Sequence, residues 1–147
     1  MQRMDVEQID HVHVHVTDRD RAAEWYSHVL GLRRDEKLAR WAADPDGPLM
    51  LSSAAGRTCI ALFQDPSVGD GGASGRTVAF KLGGEGFMAF LSALPELDLA
   101  DGDGRAIGIG DVVDHELAWS IYFRDPDGNR IEVTSYDYDY VSQRLEA

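Results

Sequence analysis

The sequence predicts an α+β fold built from two βαβββ modules in tandem, with curved mixed sheets forming one cleft and helices outside. Two observations carry this. A strictly alternating strand runs into a capped helix near the N-terminus, and short strands with turn signals follow it. The same order then begins again about 66 residues later, where Val78, Phe80 and Leu82 overlay Val12, Val14 and Val16. Each half has too little core to stand alone, so the two halves are expected to form one functional domain.

The first module is expected over residues 9–66. Val12, Val14 and Val16 alternate with His11, His13 and His15, which gives a strand with one apolar and one imidazole face. Thr17 or Asp18 then caps a helix, and Thr17-Asp18-Arg19-Asp20 has the form of a capping box. Ala22, Trp25 or Tyr26, Val29 and Leu30 recur at helical spacing, and Gly31 stands where a left-handed cap is wanted. Arg33 to Ala42, with Leu38 and Trp41 as apolar points, reads as a strand. Asp44-Pro45-Asp46-Gly47 is a turn. Pro48 to Ala55 and Thr58 to Gln64 form a hairpin around Gly56.

Residues 67–75, within the Gly-, Asp- and Ser-rich run DPSVGDGGASG, read as a linker. The second module is expected over 76–139. It opens with a strand from Arg76 to Leu82, then a helix from Glu85 to Leu97 that Pro95 should terminate or kink. Ala106 to Leu117 holds a strand ending at His115. Trp119 to Arg124 and Arg130 to Tyr136 form the last hairpin around Asp125 to Asn129. The tail DYDYVSQRLEA is amphiphilic, suited to packing on a neighbour or to fraying.

Composition narrows the function classes. The formal charge is −12, with 14 basic against 26 acidic residues, which disfavours nucleic acid and anionic membrane as partners. No apolar run approaches a membrane span, and the first residues carry no signal-peptide pattern. Cys59 is the single cysteine, so no internal disulfide forms and a cytoplasmic location is expected. In the run TCIALF it reads as a small buried hydrophobe rather than a nucleophile. Twelve of the basic residues are Arg and two are Lys. That bias fits a salt-adapted organism or a high-GC genome.

The imidazole face admits two roles, a solvated strand surface or a cavity wall holding a metal ligand or general base. His28, near the C-terminal end of its helix, is accounted for by the helix dipole. The last hairpin adds a second polar group. A loop from Asp125 to Asn129 pairs Arg124 with Arg130 and Tyr122 with Glu132, and cross-strand partners share a face. Ser120, Tyr122 and Thr134 then surround Glu132, with Ile131 and Val133 on the helix side.

The opening run IDHVHVHVTD…AAEWYSHVLGL and the closing run SIYFRDPDGNRIEVTSYD resemble the end motifs of the vicinal oxygen chelate superfamily. That group includes glyoxalase I, extradiol dioxygenases, fosfomycin-resistance enzymes and bleomycin-resistance proteins. The resemblance spans roughly Ile9 to Asp139. It implies the duplicated βαβββ fold, a homodimer, and in metal-using members one divalent ion (Mn, Ni, Zn or Fe) in the cleft. It implies His11 as the first metal ligand and Glu132 as the last. Thr77 stands where the second module's His is expected, and Ala61 where the first module's Glu is expected. A ring-cleaving iron dioxygenase uses two His and one carboxylate, so that chemistry fits poorly.

His13, on the same face as His11, is a candidate further ligand. His115 is a candidate acid-base group, as in similar segments of the dioxygenase branch. Two function classes follow. One is a metal-dependent isomerase or lyase acting on a small oxygenated molecule, with His11, His13 and Glu132 at the metal and Glu132, His115 and Tyr122 moving protons. The other is a metal-free protein that binds a small molecule or antibiotic, where acidic cleft residues would suit a cationic ligand.

Overall fold

The computed structural model describes residues 3–68 and 76–147. The chain divides into two compact units, Met1–Gly71 and Gly72–Ala147. Residues 69–75, most of the expected linker, lie outside the described residues.

The first unit runs β1 (Val12–Val16), α1 (Arg19–Leu30), β2 (Arg33–Arg34), a 3₁₀ segment (Glu36–Ala43), β3 (Leu49–Ser52) and β4 (Thr58–Gln64). Its sheet has the order β1-β4-β3-β2, with β1 parallel to β4 and the other pairs antiparallel. Val14 and Val16 are buried with Tyr26, Leu51, Ile60 and Leu62, so the valine face meets the helix as expected. Val12, nearer the strand's start, stays 39% exposed. Asp18 is the helix cap, its carboxylate accepting from the backbone N–H groups of Asp20 and Arg21. Gly31 closes the helix at φ 68°, the left-handed conformation that only glycine adopts without strain.

One expected strand is replaced. From Arg33 to Ala42 only Arg33 and Arg34 pair in the sheet, and the chain then winds into the 3₁₀ segment. Asp35 starts it, accepting from Lys37 N–H at 3.0 Å and from the Ser52 hydroxyl at 2.8 Å. Leu38 and Trp41 are three residues apart. That spacing puts them on one face of a 3₁₀ helix and on opposite faces of a strand. The turn that follows is clamped to α1 by Arg19, whose guanidinium donates to the carbonyls of Ala42, Asp44 and Gly47. A Cβ at Gly47 would lie 2.3 Å from the Trp41 carbonyl oxygen, so this turn requires glycine.

The second unit runs β5 (Thr77–Lys81), α2 (Gly84–Leu97), a 3₁₀ turn (Ile109–Asp111), β6 (Val113–Asp114), β7 (Trp119–Arg124), β8 (Arg130–Ser135) and α3 (Tyr138–Leu145). The sheet order is β5-β8-β7-β6, with β5 parallel to β8. Phe87, Phe90, Leu91 and Leu94 of α2 are buried, as are Ile121, Phe123, Ile131 and Val133 of the sheet. Pro95 lies inside the last turn of α2, and Asp98 ends the helix at φ 53°.

Two further expectations change here. The strand sought between Ala106 and Leu117 shrinks to Val113 and Asp114. Polar side chains bend the preceding backbone instead. Arg105 donates to Asp101 at 3.1 Å and to Asp111 at 2.7 Å, and Asp111 also accepts from Gly108 N–H at 2.8 Å. The C-terminal tail packs rather than frays. It forms α3, which buries Val141 and packs on α2. Asp137 then caps α2 from outside that helix, its carboxylate accepting from Gly84 N–H at 2.6 Å.

Two outcomes follow. Asp18→Ala should lower unfolding stability by about 1 kcal/mol in urea titrations, and an unchanged midpoint and slope would mean the cap contributes nothing. The backbone N–H of Arg105 holds Asp101 below the usual carboxylate range, and the Arg105 guanidinium does the same for Asp111. Both carboxylates are stronger acids folded than unfolded. Their stabilisation is present above the ordinary carboxylate pKa and lost as pH falls through the lowered folded values. Carboxyl NMR titration should show both below typical Asp, and Arg105→Gln should move both upward.

Candidate functional site

The β7–β8 hairpin has the register expected from the sequence, with Ser120 opposite Thr134, Tyr122 opposite Glu132 and Arg124 opposite Arg130. On the other side, β5 sets Thr77 beside Arg130 and Ala79 beside Glu132. Side chains alternate along strands, so these residues share one face while Ile121, Phe123, Ile131 and Val133 bury on the other.

On that polar face the Ser120 hydroxyl donates to Glu132 Oε1 at 2.7 Å, and Ser120 is fully buried. Ser120 Oγ also lies 2.9 Å from Thr134 Oγ1, which is 3.2 Å from the Trp119 carbonyl oxygen. A serine hydroxyl has one proton. With that proton on Glu132, Thr134 serves as the donor to Ser120 or to Trp119. The carboxylate is thereby fixed from one side by a buried hydroxyl.

His115 reaches the same face from the turn between β6 and β7. Its Nε2 lies 3.0 Å from the Tyr122 hydroxyl. Tyr122 is held above the ordinary tyrosine pKa, first by burial and then by the Glu132 carboxylate. Its phenol therefore stays protonated through neutral pH, as a proton donor must. Three expected residues, Glu132, Tyr122 and His115, are thus brought together. Arg130 belongs with them, although it was not among the expected site residues. Its guanidinium lies 4.3 Å from the centre of the Tyr122 ring and donates to Thr77 Oγ1 at 3.0 Å. Its position two residues before Glu132 on one strand was the signal for it.

In the first unit, His11 precedes β1 and its side chain touches both neighbours on its face. Asp10 Oδ2 lies 2.6 Å from His11 Nδ1, and His11 Nε2 lies 3.1 Å from His13 Nε2. The two rings stack, and Phe63 contacts both His13 and His15. A neutral His11 that donates from Nδ1 to Asp10 has its Nε2 lone pair on the His13 side. The paired face is therefore real, and it carries an aromatic partner from β4.

The two parallel ladders align the repeats residue by residue. His13 pairs with Ala61 in β1–β4, and Ala79 pairs with Glu132 in β5–β8. With the offset of β1 onto β5, Thr77 is the counterpart of His11, Ala79 of His13, and Ala61 of Glu132. Ala61 is fully buried and offers no donor atom. One module thus carries imidazoles at these positions and the other carries the carboxylate.

The histidine pair of the first unit fits a divalent metal in donor type and in spacing. Two nitrogens sharing an ion at ~2.1 Å lie roughly 3.0–3.4 Å apart. Asp10 on Nδ1 is the outer carboxylate that such a ligand commonly has. Among the described residues, no group of three or more His, Cys, Asp or Glu gathers so as to hold a metal. Cys59 is half-buried, its Sγ 3.6 Å from the Leu51 carbonyl oxygen, and burial pushes its thiol upward. It stays a thiol at neutral pH, in line with a packing role.

The model of the glyoxalase/bleomycin resistance protein/dioxygenase superfamily matches residues 8–133. The chain belongs to this superfamily. Solved superfamily-like structures agree in fold. A glyoxalase/dioxygenase from Nostoc punctiforme matches with TM-score 0.65 and 21% identity, covering 88% of this chain and 91% of that one. The oxidase ChaP-H1 matches with TM-score 0.62 and 22% identity over 88% of this chain and 96% of that one. The fosfomycin resistance protein FosX from Listeria monocytogenes matches with TM-score 0.63 and 13% identity over 92% and 98%. No curated protein sequence matches this chain. At these identities the likeness establishes the superfamily fold and leaves the activity to the residues. No helix among the described residues is long and apolar enough to cross a membrane.

Tyr122 gives a pH test. Its folded pKa is raised, so its contribution to stability is present below the ordinary tyrosine value and lost as pH rises through the folded one. Alkaline ultraviolet titration should show a late-titrating phenol that disappears in Tyr122→Phe. Loss of a phenol that titrates at or below the ordinary tyrosine value in Tyr122→Phe would contradict the contact with Glu132.

Proposed function

We propose that this superfamily member is a divalent-metal-dependent enzyme of isomerase or lyase type acting on a small oxygenated molecule. The observation that carries the proposal is the Glu132–Tyr122–His115 group on one sheet face. It pairs a carboxylate fixed by Ser120 with a protonated phenol and an imidazole. Such a group can take a proton from carbon at the carboxylate and return one to oxygen from the phenol, with His115 resupplying it. His11 and His13 are the candidate metal ligands of the first unit and Glu132 that of the second; a divalent ion on such donors would polarise substrate oxygens and lower the cost of adjacent negative charge. Asp10 orients His11 in this scheme.

A second reading has specific support. Thr77 and Ala61 replace two donors, and Thr77 is engaged by Arg130. A metal-free protein that binds a small molecule needs neither donor. In both readings the partner is a small molecule, and a homodimer and a cytoplasmic location remain part of the proposal.

The test is metal content of the untagged protein, followed by titration of the stripped protein with Mn²⁺, Ni²⁺, Zn²⁺ and Fe²⁺. Near-stoichiometric binding, lost in His11→Ala and Glu132→Ala and weakened about 10-fold or more in Asp10→Asn, is the expected result. No binding to any ion, with the variants as stable as wild type, would sink the metal assignment and favour the second reading.

A further inference from the structure

We propose that Arg130 is the residue that holds an anionic head group of the ligand, so that the molecule this site takes carries a carboxylate or phosphate-type oxygen acid. The inference rests on the reading that the Glu132 face receives the ligand, and it adds the chemical class.

Three observations lead to it. The first is how Arg130 is held. Its guanidinium lies over the Tyr122 ring at 4.3 Å and donates one hydrogen bond, to Thr77 Oγ1 at 3.0 Å. A ring face fixes the plane of the fork, and the threonine fixes its rotation. Both partners are neutral. Among the described residues no Asp or Glu forms an ion pair with Arg130, not even Glu132 two residues along the same face. Arginine has five N–H donors, so the planar fork keeps both its charge and most of its hydrogen-bonding capacity for a ligand.

The second is contrast with the other arginines. Arg34 is paired with Asp20, and Arg105 with Asp101 and Asp111. Arg19 is spent on three backbone carbonyls. Arg124, also half-buried, donates to the Gly128 carbonyl oxygen. Among these half-buried arginines Arg130 differs in resting on a ring face and a side-chain hydroxyl instead of on backbone carbonyls. The third is placement. Arg130 and Glu132 alternate on one strand, which separates their Cα atoms by roughly 7 Å. A head group on the fork sets the next atoms of a small molecule beside Glu132 and the Tyr122 hydroxyl. Thr77 also gains a reason for standing at the expected histidine position: it orients an organic cation there instead of ligating a metal.

The test uses the full chain in EDTA, so that no metal contributes. Pyruvate and inorganic phosphate are the anionic probes, and methyl pyruvate is the uncharged control, each followed by calorimetric titration. Pyruvate or phosphate should bind, more weakly as salt rises, and methyl pyruvate should bind far less well. Which anion binds identifies the head group. Arg130→Gln should weaken the anion about tenfold or more. Arg130→Lys, which keeps the charge and loses the fork, and Thr77→Val, which frees the fork, should each give a smaller loss and carry the test if the glutamine variant does not fold. Equal binding of pyruvate and its methyl ester, no binding of either anion, or affinities unchanged in all three folded variants would overturn the proposal. Metal titration of Arg130→Gln separates the two readings. Anion binding that depends on Arg130 in a protein that takes up no metal would remove the metal-enzyme assignment and leave this one standing.

Discussion

The polar face depends on the pairing of β8 with both of its neighbours. β8 is bonded in parallel to β5 and antiparallel to β7, so its register is set twice. A slip of one residue would exchange Glu132 and Arg130 for Ile131 and Val133 on the same face. The fully buried Ile131 and Val133 prevent that slip, because exposing them loses about 1.5–3 kcal/mol each. The hydrophobic side of the strand is thus what aims the chemical side. Asp125 stabilises the turn that starts this strand. Its carboxylate accepts from the N–H groups of Asp127 and Asn129 and from the Asn129 amide.

The repeat keeps its backbone and divides its chemistry. Both modules retain the parallel ladder between first and last strand, in the same register. That ladder is topological and is satisfied by backbone groups of any residue. The side chains upon it are free to differ, and they do. The first module presents His11, His13, His15 and Phe63 as a row of touching rings, while the second presents Thr77, Arg130, Tyr122 and Glu132. A duplicated fold therefore does not supply a duplicated donor set, and Ala61 marks the place where a second carboxylate would have stood.

Elements with a strong period were legible from residues alone. The alternation of β1, the helical spacing in α1 and α2, and the last hairpin with its register all follow from apolar patterning and turn chemistry. The region after α1 was misread because an interval of three between Leu38 and Trp41 has no meaning for a strand. The segment before β7 was misread because its path is set by Arg105 bridging Asp101 and Asp111 rather than by apolar periodicity. The tail helix was obscured for a third reason. It places Asp137 to cap α2 and buries Val141, and the Gly84 N–H that Asp137 accepts from lies 53 residues away in sequence. At the site, Glu132, Tyr122 and His115 were found through register and motif. Strand alternation places Arg130 on the Glu132 face, whereas the contact that orients it through Thr77 lies 53 residues away in sequence.

The acidic excess has a structural explanation that bears on the ligand. Asp18, Asp35, Asp44, Asp65, Asp101, Asp114 and Asp125 each accept from the backbone N–H two residues ahead. This is the Asx-turn, in which a short carboxylate substitutes for a backbone acceptor and reverses or caps the chain. Asp111 and Asp137 take backbone donors at longer range. Much of the negative charge is therefore committed to turns and helix starts, where it does the work of chain reversal. The polar face of the second module has the opposite character. It places Arg130 and His115 around one carboxylate that is already engaged by Ser120. Acidic cleft residues would suit a cationic ligand, whereas the placement of Arg130 and His115 points toward an anionic one. The difference arises because charge placed in a turn is screened and locally satisfied, while charge held on a rigid sheet face by neutral partners remains available.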